Sequence, residues 1–257
     1  MLGAIAGDII GSLYEIRGLK TMDFPLFVPE SRFTDDTVLT LAVADALLDS
    51  GRYAEKIHSY GNKYPLAGYG KSFRDWLQST DLQPYTSWGN GSAMRVSPVA
   101  YVYGSLDEVL QEAEKSAVVT HNHPEGVKGA QAIAAAVFLA RKGSSKQEIK
   151  EYVQNTFGYN LERSIEQIRP DYKFDVSCQG SVPESIIAFL ESTDVENAIR
   201  LAISLGGDTD TMACMAGSIA EPFYGGLPKE IEIEVRKRLT TDLLQTMDAF
   251  LTQFPTK

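Results

Sequence analysis

Apolar residues recur at helical spacing through most of the chain, and glycines, prolines and capping residues separate these runs. The run over 3–12 predicts a first helix whose glycines fall four apart, on one face where a second backbone can approach closely. These glycines are Gly3, Gly7 and Gly11. Residues 35–50 predict another helix, with Thr34 at its cap position and Gly51 at its end. Strand signals are weak, so the pattern predicts an all-α protein.

Capping and stop residues extend this helical pattern through the second half of the chain. The predicted helices cover 124–142, 145–156, 181–191, 195–205, 211–220, 229–239 and 241–253. Ser181 followed by Pro183 is a start signal for the third of these, and Asp194 can cap the fourth. The segment 61–95 is rich in Gly, Tyr, Ser, Asn and Pro, which predicts a long irregular region of the kind that often carries function. We expect a single compact multi-helix domain over 1–257.

Composition and charge narrow the class of protein. The 257 residues are 44% hydrophobic and 23% charged, which is ordinary for a globular protein, and the net charge is −10. This acidity argues against nucleic acid or an anionic membrane as the main partner. The amino terminus lacks a basic leader, and the longest apolar stretches, 38–48 and 129–140, fall short of the roughly 20 residues that span a bilayer. A cytoplasmic monomer that does not enter a membrane is expected.

Two acidic clusters far apart in the sequence carry the strongest chemical signal. They are Thr34-Asp35-Asp36-Thr37 and Gly206-Gly207-Asp208-Thr209-Asp210-Thr211. Carboxylates brought together from both clusters would repel and lose hydration, and two divalent cations would cancel their charge. Carboxylate and hydroxyl oxygens suit Mg²⁺, Mn²⁺ or Ca²⁺, whereas two isolated cysteines and three histidines give little for zinc. A two-metal hydrolase is therefore the first hypothesis.

Helix capping is the alternative explanation for these clusters. Asp and Thr beside Gly are common caps, and the partial positive charge of a helix start stabilises a carboxylate without a metal. Capping accounts for one Asp in each cluster. It does not account for Asp35 next to Asp36, or for Asp208 spaced by one residue from Asp210, so a shared ion site is favoured.

Three further segments are candidates for substrate contacts or catalysis. The turn Gly89–Arg95 can present backbone N–H groups to a phosphate, although a plain turn and an Arg95 paired with a core carboxylate are alternatives. His121 can hydrogen bond a phosphate or a hydroxyl, or serve as a structural histidine. Glu15, which precedes a loop at 17–31, suits a general base or a lid residue, with a surface glutamate as the default.

Taken together, these segments resemble the ADP-ribosylglycohydrolase family. The matching residues, in the family's order, are Gly7–Glu15, Thr34–Thr37, Gly89–Arg95, Thr120–His121, Ser181–Pro183 and Gly206–Thr211. The match covers about residues 3–220. It implies an all-helical fold with a binuclear Mg²⁺ or Mn²⁺ centre in a cleft.

The resemblance also implies roles for individual residues. The implied metal ligands are Thr34, Asp35, Asp36, Asp208, Asp210 and Thr211. Glu15, Asp35 and Asp36 are the implied catalytic residues. The implied substrate contacts are Asn90, Gly91, Ser92, Met94, His121, Ser181 and Val182. The segments 17–31 and 61–88 have no counterpart in the family pattern, and we expect them to decide which acceptor is recognised.

The implied reaction is hydrolysis of the glycosidic bond between ADP-ribose and a modified protein side chain or a small ADP-ribosyl conjugate. Two cations would grip the vicinal hydroxyls of the ribose and orient its anomeric carbon. A non-catalytic ADP-ribose-binding relative and a two-metal phosphohydrolase acting on the diphosphate are the alternatives. The products separate the two enzymes, because the first releases ADP-ribose and the second releases AMP and ribose phosphate.

Overall fold

The computed structural model describes residues 1–15, 18–49 and 51–255 of the chain. The described residues form fifteen helices and no strand beyond one isolated bridge between Gly89 and Ser177. The helices are α1 (Leu2–Gly11), α2 (Asp35–Asp49), α3 (Tyr53–Lys63), α4 (Lys71–Leu77), α5 (Gly91–Met94), α6 (Val99–Val102), α7 (Leu106–Val118), α8 (Pro124–Arg141), α9 (Lys146–Phe157), α10 (Ile165–Ile168), α11 (Cys178–Glu191), α12 (Val195–Ile203), α13 (Thr209–Tyr224), α14 (Lys229–Arg238) and α15 (Thr241–Gln253). The predicted all-α class is confirmed. No helix in these ranges combines the length and hydropathy needed to cross a membrane.

Helices α1 and α13 form the centre of the molecule, and every residue of α1 is buried. The glycine stripe of α1 faces the backbone of α13: a Cβ on Gly7 would clash with the carbonyl of Ala213, and a Cβ on Gly3 with that of Gly217. At the far end of the stripe, a Cβ on Gly11 would lie 2.5 Å from the Cα of Asp210. The stripe predicted from sequence therefore lets two backbones touch, and this contact positions the second acidic cluster beside the end of α1.

Substituting Gly7 by Ala is expected to lower the free energy of unfolding by roughly 3 kcal/mol, the scale of a severe overpacking in a close-packed core. The added methyl would press on the Ala213 carbonyl, and only separation of α1 from α13 would relieve it. The ordinary helical preference for Ala over Gly would stabilise the variant, so a net loss of stability can come only from the clash between the two helices. Urea denaturation measures the effect. Gly104→Ala is the control, because nothing lies within 4 Å of its added Cβ.

Local capping signals predicted two helix starts in the second half of the chain, with Ser144 or Ser145 as the cap of the first and Asp194 as the cap of the second. Ser145 caps α9 in a capping box with Glu148, and Gly158 ends that helix in the left-handed conformation. Asp194 caps α12 by accepting a hydrogen bond from the N–H of Asn197. The capping box of Ser105 likewise begins α7, a helix that the sequence analysis did not predict.

The predicted start of a helix at Ser181 was wrong. Helix α11 begins at Cys178, where Ser177 caps it by accepting from the N–H of Gly180, so Pro183 lies inside the helix. The Ser181 hydroxyl donates instead to the carbonyl of Ser177, 2.7 Å away, and does not cap. Helix α13 also begins earlier than predicted, at Thr209, and runs past 220 until Gly225 ends it.

The segment 61–95 is less irregular than its composition indicated. The end of α3 and the short helices α4 and α5 lie within it. Its remaining turns pass along the acidic clusters, and the carbonyl of Ala67 accepts a hydrogen bond of 2.8 Å from the N–H of Asp35. This bond fixes the segment to the first turn of α2.

Candidate active site

A cleft of about 460 Å³ opens where the end of α1 meets the first turns of α2 and α13. Both acidic clusters reach it, and so do Glu15 and part of the segment 61–95. The sequence-predicted residues that line the cleft are Glu15, Thr34, Asp35, Asp36, Asn90, Gly91, Met94, His121, Asp208, Asp210 and Thr211. The fold therefore brings together residues that are far apart in the sequence.

Two groups of three carboxylates have oxygen atoms close enough together to hold a metal ion. In one group, oxygens of Asp8, Asp36 and Asp210 all lie within 4.8 Å of one another. In the other, oxygens of Glu15, Asp208 and Asp210 meet the same limit. Asp210 belongs to both groups, so the two groups adjoin.

Burial and mutual repulsion dominate the electrostatics of these carboxylates. Burial, followed by the charge of Asp210, raises the pKa of Asp35, Asp36 and Asp208 well above the ordinary value. The same causes raise the pKa of Glu15. The buried Oδ1 of Asp36 has no hydrogen-bond partner within the described residues. A buried acceptor without a donor, among carboxylates that repel, is the environment that a hard divalent cation stabilises.

Asp8 belongs to one of the two carboxylate groups, behind the lining of the cleft, and sequence analysis missed it. Its Oδ1 accepts from the hydroxyl of Thr34 at 2.6 Å, and its Oδ2 accepts from the backbone N–H of Thr34 at 2.9 Å and of Thr37 at 3.1 Å. The hydroxyl of Thr37 donates to it as well. Burial and then Asp210 raise the pKa of Asp8 to about 7, and the bonds from Thr34 act against that rise. The available signal was an aspartate in the middle of a wholly apolar helix.

The threonines of the two clusters face the carboxylates rather than solvent. The Thr211 hydroxyl donates to Oδ2 of Asp36 at 3.2 Å, across from α13 to α2. The Thr34 hydroxyl lies 3.3 Å from the same Oδ2. These hydroxyl oxygens therefore point at one carboxylate from either side, as expected for ligands or close neighbours of a shared ion.

Asn90 joins the Gly89–Arg95 turn to the second acidic cluster. Its Nδ2 donates to Oδ2 of Asp208 at 2.7 Å and to the hydroxyl of Ser181 at 3.2 Å. These bonds place the turn on one wall of the cleft, with Gly91 and Met94 lining it.

Three of the implied substrate contacts do not line the cleft. Ser92 is fully buried and its hydroxyl donates to the carbonyl of Gly126 at 2.7 Å, away from the cavity. The Ser181 hydroxyl accepts a hydrogen bond from the side chain of Asn90. Val182 packs in the core, close to Gly129 and Cys178. Neighbouring residues of a helix point in different directions, so the motif that contains a lining residue also contains residues that face away.

Arg95 is fully buried and is one of the residues that line the cleft. Within the described residues it has no carboxylate partner; its Nη2 donates to the carbonyl of Ser116 and the hydroxyl of Thr120. The alternative that Arg95 pairs with a core carboxylate is therefore wrong for the part of the chain that the structure describes. Burial lowers the pKa of Arg95 to about 10, so the side chain stays charged at neutral pH.

Comparison with known proteins agrees with this geometry. The sequence model of the ADP-ribosylglycohydrolase family matches residues 1–257. The chain belongs to this family. A solved structure described as an ADP-ribosylglycohydrolase-related protein complex has the same fold, with a TM-score of 0.74 over 97% of this chain and 95% of that one at 23% identity.

Curated relatives of this family member include eukaryotic and bacterial enzymes. ADP-ribosylhydrolase ARH3 of Homo sapiens is 27% identical over 88% of this chain and 84% of its own length. ARH3 of Mus musculus is also 27% identical, over 88% of this chain and 82% of its own length. ADP-ribosylarginine hydrolase Tri1 of Pseudomonas putida (strain GB-1) is 27% identical over 90% of this chain and 71% of its own length.

Proposed function

We propose that this chain is a hydrolase that cleaves the bond between C1 of the distal ribose of ADP-ribose and an acceptor, and releases ADP-ribose. The acceptor is a modified protein side chain or a small conjugate. The observation that carries the proposal is the meeting of Glu15 and both acidic clusters at one cleft. Membership of a family whose curated relatives are named ADP-ribosylhydrolases supports it.

Two Mg²⁺ or Mn²⁺ ions are the proposed cofactors. Asp8, Asp36 and Asp210 would hold one ion, with Asp35 and the hydroxyls of Thr34 and Thr211 beside them. Glu15, Asp208 and Asp210 would hold the other. When bound, these ions supply Lewis-acid chemistry that orients the ribose hydroxyls and stabilises developing charge.

The chain's own residues complete the proposed site. Glu15 is partly buried at the cleft, and burial followed by the charge of Asp210 raises its pKa. The carboxylates around it favour the positive charge that develops at the anomeric carbon as the glycosidic bond breaks. Asn90, Gly91, Met94 and His121 form the wall on which the nucleotide part of the substrate would lie.

The segment 61–88 is the proposed acceptor-recognition element. Leu66 is 97% exposed at the mouth of the cleft, next to the residue that holds the backbone of Asp35. Its exposure, one residue from the carbonyl that contacts a proposed metal ligand, supports a role in contacting the acceptor. Of the loop at 17–31, residue 17 lies outside the described residues, and the part played by this loop in acceptor recognition stays a prediction.

The two alternatives differ from this proposal in measurable ways. A non-catalytic binder has no need to retain Glu15 and the aspartates in two adjoining groups, so the geometry favours an enzyme. A phosphohydrolase would cleave the diphosphate and yield AMP. The relatives named as hydrolases of ADP-ribosyl linkages favour attack at the sugar.

The proposed activity is tested with a panel of Arg-linked, Ser-linked and O-acetyl ADP-ribose substrates, each incubated with Mg²⁺ and with EDTA. We expect free ADP-ribose, read by mass spectrometry, from at least one linkage in Mg²⁺ and none in EDTA. AMP as the product would replace the proposal by the phosphohydrolase. Binding of ADP-ribose without release from any substrate would instead support the non-catalytic alternative.

A further inference from the structure

Thr120 connects the buried guanidinium of Arg95 to the imidazole of His121. The Nη2 of Arg95 lies 3.0 Å from the Thr120 hydroxyl oxygen, and that oxygen lies 2.7 Å from Nδ1 of His121. Thr120 and Arg95 are fully buried, and His121 is 5% exposed. The three side chains therefore form a short chain of hydrogen bonds that ends at the cleft.

The donors in this chain can be assigned from their chemistry. Arginine only donates, so the Thr120 oxygen accepts from Arg95. The hydroxyl has a single proton of its own, and of its hydrogen-bond partners Arg95 and His121, only Nδ1 of His121 can accept that proton. Burial, and then the charge of Arg95, lower the pKa of His121 well below its usual range, so the ring is neutral and carries one N–H.

We infer that Arg95 and Thr120 are positioning residues that hold His121 in the tautomer with its proton on Nε2. Nδ1 then accepts from Thr120, and the N–H of the ring faces the cleft. This inference rests on the proposed function in one respect, namely that the ligand facing His121 is the anionic ADP-ribosyl group. The hydrogen-bond chain itself does not depend on that function.

The surroundings of Nε2 suit a donor aimed at a ligand. A Cβ on Gly91 would lie 3.0 Å from Nε2, and one on Gly89 would lie 3.6 Å from it, so the two glycines leave this nitrogen open to the cleft. The ring of Tyr85 stands beside the imidazole at 6.0 Å between centroids. A fixed N–H between two bare backbone positions can donate to a phosphate or ribose oxygen, whereas the other tautomer would present a lone pair to an anion.

Tyr85 is the other polar group next to Thr120. Burial raises the pKa of Tyr85 to about 12, so its hydroxyl remains protonated at neutral pH. The Tyr85 side chain therefore adds no negative charge beside the imidazole of His121.

The tautomer is measured directly by two-bond ¹H–¹⁵N correlation of protein labelled with ¹⁵N-histidine. The chain has three histidines, so the spectrum is simple, and the signals absent in His121→Gln identify His121. We expect the Nε2–H tautomer in the wild type and in Thr120→Ser, which keeps the hydroxyl. In Thr120→Val, which is nearly isosteric but lacks it, we expect a substantial Nδ1–H population. A wild-type spectrum with the proton on Nδ1 overturns the inference. This outcome can be observed without any variant, so it does not depend on a variant folding.

A double-mutant cycle tests whether Thr120 acts through His121. ADP-ribose affinity, measured by calorimetry, is expected to fall about tenfold in Thr120→Val, the scale of one hydrogen bond to a charged group. The same substitution is expected to have no further effect when His121 is already Ala. An equal loss in both backgrounds would contradict the positioning role. Failure of the wild type to bind ADP-ribose, with the Nε2–H tautomer intact, would count against the proposed function alone.

Discussion

Replacing Asp210 by Asn is expected to reduce turnover by roughly three orders of magnitude or more, since loss of a metal-centred interaction costs several kcal/mol in the transition state. Asp210 belongs to both carboxylate groups, so its charge acts on either proposed ion. Its Oδ1 accepts from the N–H of Thr211 at 2.9 Å, a bond that the carbonyl of Asn can keep. The fold should therefore survive, and the loss should appear in metal affinity as well as in rate.

A second signature distinguishes lost metal binding from damaged structure. The charge of Asp210 raises the pKa of Asp8, Asp35 and Asp36, so its removal relieves repulsion within the metal-free cleft. Asp210→Asn should then melt at a higher temperature than the wild type in EDTA, and should gain little when Mg²⁺ is added. Asp23→Asn is the matched control, because Asp23 is exposed and lies outside the cleft. Wild-type metal affinity and turnover in Asp210→Asn would contradict the ligand assignment.

Features set by neighbouring residues were the ones that could be predicted from the sequence. Ser145 and Asp194 each satisfy an N–H a few residues away, so their caps follow from the local pattern. The two acidic clusters were also recognisable, because each concentrates carboxylates and hydroxyls within a few positions. That both clusters would reach one cleft followed from charge balance, and the contact between α1 and α13 supplies the geometry.

Features that depend on contacts far apart in the chain were missed. Asp8 lies in the apolar run of α1. Its partners are Thr37 in α2 and Thr34 just before that helix, so its sequence context gave no sign of them. The direction of a side chain within a motif was equally hidden, as Ser92 shows. Its hydroxyl is held by the carbonyl of Gly126, a contact that only the packing of α5 against α8 creates.

The stability of the metal-free protein is expected to fall as the pH rises from 5 to 8. A carboxyl whose pKa is raised by folding keeps its proton in the folded state over a range in which the unfolded chain has released it. Raising the pH therefore favours the unfolded chain, beginning above the ordinary value of 3.8 and continuing to about 7 for Asp8. Asp35, Asp36 and Asp208 shift in the same direction and add to the trend. The melting temperature in EDTA should decrease across this interval.

Divalent cations should reverse that trend, because they bind the ionised carboxylates of the folded protein and not the unfolded chain. At about 100 times the dissociation constant, binding contributes roughly 2.7 kcal/mol, which corresponds to about 5–10 °C in melting temperature for a chain of this size. We expect this rise with Mg²⁺ at pH 8 and a much smaller one at pH 5, where protons occupy the same oxygens. Potassium chloride at matched ionic strength controls for screening of the repulsion. A melting temperature in EDTA that does not change with pH would mean that the cleft carboxylates are compensated within the protein, and the case for a metal centre would lose its electrostatic basis.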